Sequence, residues 1–155
     1  MANGKRKLKR WISAASLGGL AACLLAFPLA ASADGLDVTD ARMRVLPGDM
    51  PAAGYFRLDN TSDKRVVLVG AKSDAFEKVE LHRSMNKDGM ASMESVSRLE
   101  VAPDEHIEFA PQGYHLMLMK PTGALSAGDE VEITLEFERH DPLTVDFEAV
   151  PPTSM

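Results

Sequence analysis

From Pro47 to Pro142 the chain is punctuated so closely by Pro, Gly, Asn and Asp that only short elements fit between the turn signals. Residues 36–45 alternate loosely and stop at Pro47-Gly48. Residues 53–58 run into Asp59-Asn60-Thr61-Ser62-Asp63, and residues 65–70 form a β-branched run that ends at Gly70. Further segments of the same kind fall at 76–83, 90–99, 106–109, 115–120, 131–139 and 143–150. Ile133-Thr134-Leu135-Glu136-Phe137-Glu138 shows the period-two alternation of a half-buried strand most cleanly. About nine short strands without a helical period predict an all-β, antiparallel sandwich or barrel.

The N-terminus reads differently. Lys5, Arg6, Lys7, Lys9 and Arg10 precede an apolar run from Trp11 to Ala30, and Ala31-Ser32-Ala33 supplies a small-residue cleavage pattern. Residues 1–33 are therefore expected to be a secretory signal peptide, residues 34–150 a single domain, and residues 151–155 a frayed tail. Leu20-Ala21-Ala22-Cys23 also matches a lipoprotein cleavage box, so a lipid anchor at Cys23 is the alternative route of export. Against it, the residues that follow Cys23 stay apolar where a tether would be polar. An uncut run, retained as a membrane anchor, is the third possibility.

Cys23 is the only cysteine. The exported domain would then hold no disulfide, no CxxC redox pair, no thiolate copper shuttle and no blue-copper centre, which needs a Cys ligand. The leader carries five of the 17 Lys and Arg, against 23 Asp and Glu in the whole chain. What remains is strongly acidic, which disfavours nucleic acid and anionic lipid as partners. No Ser/His/Asp or paired-carboxylate constellation stands out, so an enzyme is not expected.

The residues that carry chemistry lie between His82 and Met117. Asn86-Lys87-Asp88-Gly89 reads as a four-residue hairpin loop. Centring the hairpin between Lys87 and Asp88 sets His82 directly opposite Met93, with Cβ atoms about 5 Å apart. Farther on, Gly113-Tyr114-His115-Leu116-Met117-Leu118-Met119 puts His115, Met117 and Met119 on one strand face and the leucines on the other. Imidazole and thioether together suit a soft monovalent metal such as Cu(I). A Met stripe beside leucines is ordinarily core filling, and a lone strand histidine is ordinarily a polar face residue. Two separate His–Met pairs in a cysteine-free exported domain bring the metal reading level with the structural one. Met85 and Met90 fall on the other face or in the loop, Met119 lies one step too far along for easy membership, and His106 and His140 read as surface residues.

The spacing His-x10-Met-x21-His-x-Met resembles that of the periplasmic copper chaperones called PCu(A)C, which are associated with assembly of the CuA centre of cytochrome oxidase. The likeness extends over Ala52-Ala53-Gly54-Tyr55-Phe56, Asn60-Thr61, Val79-Glu80-Leu81-His82, Asp88-Gly89-Met90 and Gly128-Asp129. The resemblance implies a cupredoxin-like Greek-key β-sandwich. It also implies a Cu(I) site made by His82, Met93, His115 and Met117, in a monomeric periplasmic carrier. The expected partner is a copper acceptor such as a cytochrome oxidase subunit or another copper chaperone. Some relatives add a His- and Met-rich C-terminal extension thought to help with Cu(II); this chain ends at Pro151-Pro152-Thr153-Ser154-Met155 without one. A copper-scavenging or tolerance protein would use the same site without a dedicated acceptor, and a metal-free interaction sandwich is the rival from another class.

Overall fold

The computed structural model describes residues 31–154 except residues 34 and 49. The expected leader, with Cys23 and its cleavage box, lies outside them apart from Ala31–Ala33. Eleven strands occupy the described residues: β1 (Ala31–Ala33), β2 (Leu36–Arg44), β3 (Ala52–Asn60), β4 (Val66–Lys72), β5 (Phe76–Lys87), β6 (Met90–Ser95), β7 (Leu99–Val101), β8 (His106–Phe109), β9 (Tyr114–Pro121), β10 (Glu130–Phe137) and β11 (Leu143–Val150). The strands follow the hydrogen-bonded order β6-β5-β9-β8-β3-β2-β11-β10-β4-β7, with β1 beside β2 and an added β9–β3 pairing.

This path closes into the expected cupredoxin-like Greek-key β-sandwich, with one apolar core between its halves. Two pairings depart from the antiparallel rule: β11 runs parallel to β2, and β8 parallel to β9. The halves meet where Phe56 of β3 packs edge-on against Phe147 of β11, ring centroids 5.6 Å apart, while its own face stacks on Phe109 at 4.0 Å. Gly54 makes room for this contact. A Cβ there would lie 3.3 Å from Leu116 Cβ and 3.4 Å from Phe147 Cε1. Alternation therefore delivers Leu116 and Leu118 of β9 to the core and leaves His115, Met117 and Met119 on the opposite face.

The loose alternation of β2 has a physical cause. Its pairing with β3 shifts between Thr39 and Arg42, and Asp40 adopts a φ of 54°. The extra residue of this bulge inverts the facing of everything after it. Leu36 and Val38 before it, and Met43 after it, consequently all reach the core. Arg42 and Arg44 are left on the outer face.

Two expectations are corrected. The single strand over 90–99 is two strands. β6 is exposed throughout, whereas Leu99 and Val101 are buried by pairing β7 with β4 in the other half of the sandwich. The hairpin register also differs. Asp88 and Gly89 both have positive φ, 53° and 79°, and alone form the loop, as in the tight Asp-Gly turn whose twist suits a hairpin. Asn86 and Lys87 stay in β5, so Lys87 pairs with Met90, Ser84 with Met93, and His82 with Ser95. His82 and Met93 are diagonal neighbours rather than direct partners. Residues 152–154 of the tail form one exposed 3-10 turn.

Candidate metal centre

Three adjacent strands, β6, β5 and β9, carry the four singled-out side chains. The β5–β9 register sets His82 directly across from His115 and Glu80 across from Met117. Because the hairpin register differs from expectation by two residues in all, Met93 keeps its side of the sheet. His82, Met93, His115 and Met117 therefore share one face, opposite the leucines. The two imidazoles face one another, with ring centroids 5.9 Å apart and planes at 51°. A ligand nitrogen lies about 2 Å from a metal of this size, so two rings facing one ion stand on the order of 6 Å apart.

Exposure grades across the site. His115, on an inner strand, is 5% exposed; Met117 and His82 are half-buried; Met93, on the edge strand, is 51% exposed. Met85 and Met90 lie on the opposite face of the hairpin, and Met119 faces Lys78 one step beyond the group. His106 is exposed on β8, and His140 lies against Phe137 in the turn after β10.

Each imidazole has one nitrogen occupied. His115 Nδ1 is 3.2 Å from the Gly113 carbonyl oxygen, which can only accept, so Nδ1 carries the proton and Nε2 keeps its lone pair. His82 Nε2 lies 3.2 Å from a Glu80 carboxylate oxygen and donates to it, which leaves the lone pair on Nδ1. That Nδ1 is buried without a hydrogen-bond partner. Lys78, at 2.7 Å, and then His82 hold the Glu80 carboxyl below the usual carboxylate range, so it stays an ionised acceptor. Histidines that bind metal ordinarily donate their second N–H to a carboxylate or carbonyl in this way.

Tyr55 closes the other side of His115, ring centroids 6.4 Å apart, and the Arg44 guanidinium lies 5.9 Å from the Tyr55 ring centre. Sequence reasoning missed Arg44, Tyr55 and Glu80 as parts of this site. Glu80 had a signal, since it lies two residues from His82 on the same strand face; Arg44 had none, because the bulge reverses its facing.

Burial first, then the nearby charges of His82 and Arg44, push the His115 imidazole below its ordinary value of 6.5; the Gly113 carbonyl opposes them. The unfolded chain therefore takes up a proton that the folded chain resists. The stability contributed at His115 is complete above pH 6.5 and is lost as pH falls below it. NMR titration of the His115 ring in the copper-free protein is expected to show a midpoint below 6.5, alongside a declining urea midpoint over that window. A ring midpoint at or above 6.5 overturns this account.

Among the described residues no three His, Cys, Asp or Glu side chains gather to hold a metal ion. Two neutral imidazoles and two thioethers on this face make up a soft donor set. Such a fold with its His/Met face defines a class, the PCuAC-type β-sandwich. Residues 36–149 match the family described as "Putative lipoprotein LpqE-like". The chain belongs to this LpqE-like family, which is of the PCuAC type. It is 32% identical over 143 residues to "Putative lipoprotein Lxx21020" of Leifsonia xyli subsp. xyli, covering 88% of this chain and 86% of that protein. Among solved structures, the copper-bound PCuAC domain from PmoF2 shares the fold with a TM-score of 0.66 at 24% identity, over 81% of this chain and 99% of that one. The solution structure of CuI-DR1885 from Deinococcus radiodurans aligns with a TM-score of 0.59 at 27% identity, over 84% of this chain and 83% of that one.

Proposed function

We propose that this protein is an exported copper carrier that binds Cu(I) through His82, Met93, His115 and Met117 and hands it to an acceptor such as the CuA site of cytochrome oxidase. The observation that supports it most is the cross-strand pairing of His82 with His115, each ring held by its second nitrogen, beside thioethers on the same face. The kinship with a copper-bound PCuAC domain and with CuI-DR1885 supports copper as the metal and the monovalent state as the one carried.

Four neutral ligands leave the bound site with the ion's own single positive charge. Thioethers do not titrate, so pH acts through the two imidazoles. An acceptor with stronger thiolate ligands can displace the ligands one at a time, starting from the exposed Met93. The protein acts as a monomeric carrier rather than an enzyme, since four protein ligands leave no open position for a substrate. Lipoprotein descriptions in the family support export, to the periplasm, by a cleaved leader or through an anchor at Cys23.

Competition against a Cu(I) chelator tests the site. Met93→Ala is expected to weaken Cu(I) at the low end of the roughly 10–100-fold range typical of lost supporting interactions, because the residue sits at an exposed edge. Cu(I) should also raise the melting temperature of the wild-type domain, as any ligand of the folded state does. Identical melting of copper-free and copper-treated protein would return the chain to a metal-free interaction module.

A further inference from the structure

The two histidines reach the copper face from adjacent strands, yet they are tied down by opposite nitrogens. His115 is held by Nδ1 to a backbone carbonyl, and His82 by Nε2 to a side-chain carboxylate. We propose, resting on the copper reading above, that the metal is held by unlike nitrogens, Nδ1 of His82 and Nε2 of His115, and that Glu80 is the positioning residue that selects Nδ1.

Three observations meet here. First, Glu80 and His82 lie two residues apart on one strand face, so the carboxylate reaches the ring without rearrangement, at 3.2 Å. Second, Lys78 grips the other carboxylate oxygen at 2.7 Å, which fixes the direction in which Glu80 accepts. Third, His82 Nδ1 is buried and has no partner. A buried acceptor left unpaired is costly, and a metal ion would satisfy it.

The arrangement has a chemical consequence. An N–H held by a carboxylate makes the opposite nitrogen a stronger donor than one held by a neutral carbonyl. His82 is then the stronger electron donor and His115 the more buried ligand. Donor strength and enclosure are divided between the two strands.

Long-range nitrogen–proton NMR of the histidine rings reads this directly. In the copper-free protein His82 is expected as the Nε2–H tautomer and His115 as the Nδ1–H tautomer. On adding Cu(I), the nitrogen resonances that move should be His82 Nδ1 and His115 Nε2. Movement of His82 Nε2 instead overturns the assignment while leaving copper binding intact. If no ring nitrogen responds to Cu(I), it is the copper reading that fails. Glu80→Ala should turn His82 into a tautomer mixture and weaken Cu(I) about 10–100-fold. Glu80→Gln, which still accepts a hydrogen bond, should restore the single tautomer and most of the affinity. An unchanged His82 tautomer in Glu80→Ala removes Glu80 from the role, because a residue that only stabilised the strand would leave the ring's tautomer alone.

Discussion

Replacing His115 by alanine is expected to lower Cu(I) affinity by at least about 100-fold, beyond the range seen when a supporting partner of a metal ligand is lost. Of the four proposed ligands, His115 has the least freedom to be substituted. It lies on an inner strand between His82 of β5 and Tyr55 of β3, it is almost fully enclosed, and the Gly113 carbonyl fixes which nitrogen is free. Water cannot easily take its place, because the ring is nearly excluded from solvent and Tyr55 of β3 packs beside it. The fold should survive. The ring is outside the leucine core, and its one hydrogen bond is of the kind that contributes about 1 kcal/mol. Chelator competition gives the affinity, and urea unfolding of the copper-free variant reports the fold. An affinity within tenfold of wild type, in a folded variant, would strike His115 from the ligand set. Met93→Ala is the comparison that gives this result meaning: a site graded in exposure should also be graded in its response, with the enclosed histidine far more sensitive than the edge methionine.

Phe147→Ala is expected to destabilise the domain by about 3–5 kcal/mol, the usual range for a large buried aromatic. Phe147 is fully buried, meets Phe56 edge-on, and fills the space that Gly54 leaves open between the halves of the sandwich. Collapse around the cavity is limited, because Phe56 is already committed to stacking on Phe109. Domains of this size have about 5–15 kcal/mol in total, so the loss is a large share of the whole. No disulfide offsets it, since the lone cysteine has no partner in the chain. The melting temperature should fall by more than about 10 °C, and excess Cu(I) should recover part of that fall by stabilising the folded state. A fall of less than about 3 °C would mean that β11 does not anchor the core as its packing implies.

Much of the fold is legible in the sequence for local reasons. Period two alone separates Leu116 and Leu118 from His115, Met117 and Met119, and turn residues mark most strand ends. The hairpin shows where local reasoning thins out. Asn-Lys-Asp-Gly can close as a four-residue or a two-residue loop, and the chain takes the tighter one. The face of Met93 survives the error because the register differs by an even number; its direct pairing with His82 does not. The central contact was beyond reach. His82 meets His115 because Leu81 and Leu116 must both be buried across β5 and β9, and that pairing joins distant parts of the chain. The separation of β7 from β6 is likewise a demand of the core, where Leu99 and Val101 are buried.

The bulge at Asp40 acts as a phase inverter for the neighbourhood of the His/Met face. With an even register along β2, Met43 would look out beside Tyr55 and the Arg44 side chain would turn toward the core. One inserted residue exchanges them, so the site has a fixed cation above its aromatic wall rather than another sulfur. Deleting Asp40 alone would remove the bulge yet leave Arg42, Met43 and Arg44 on their present partners in β3, whereas inserting one residue after it would turn Arg44 away from the His/Met face.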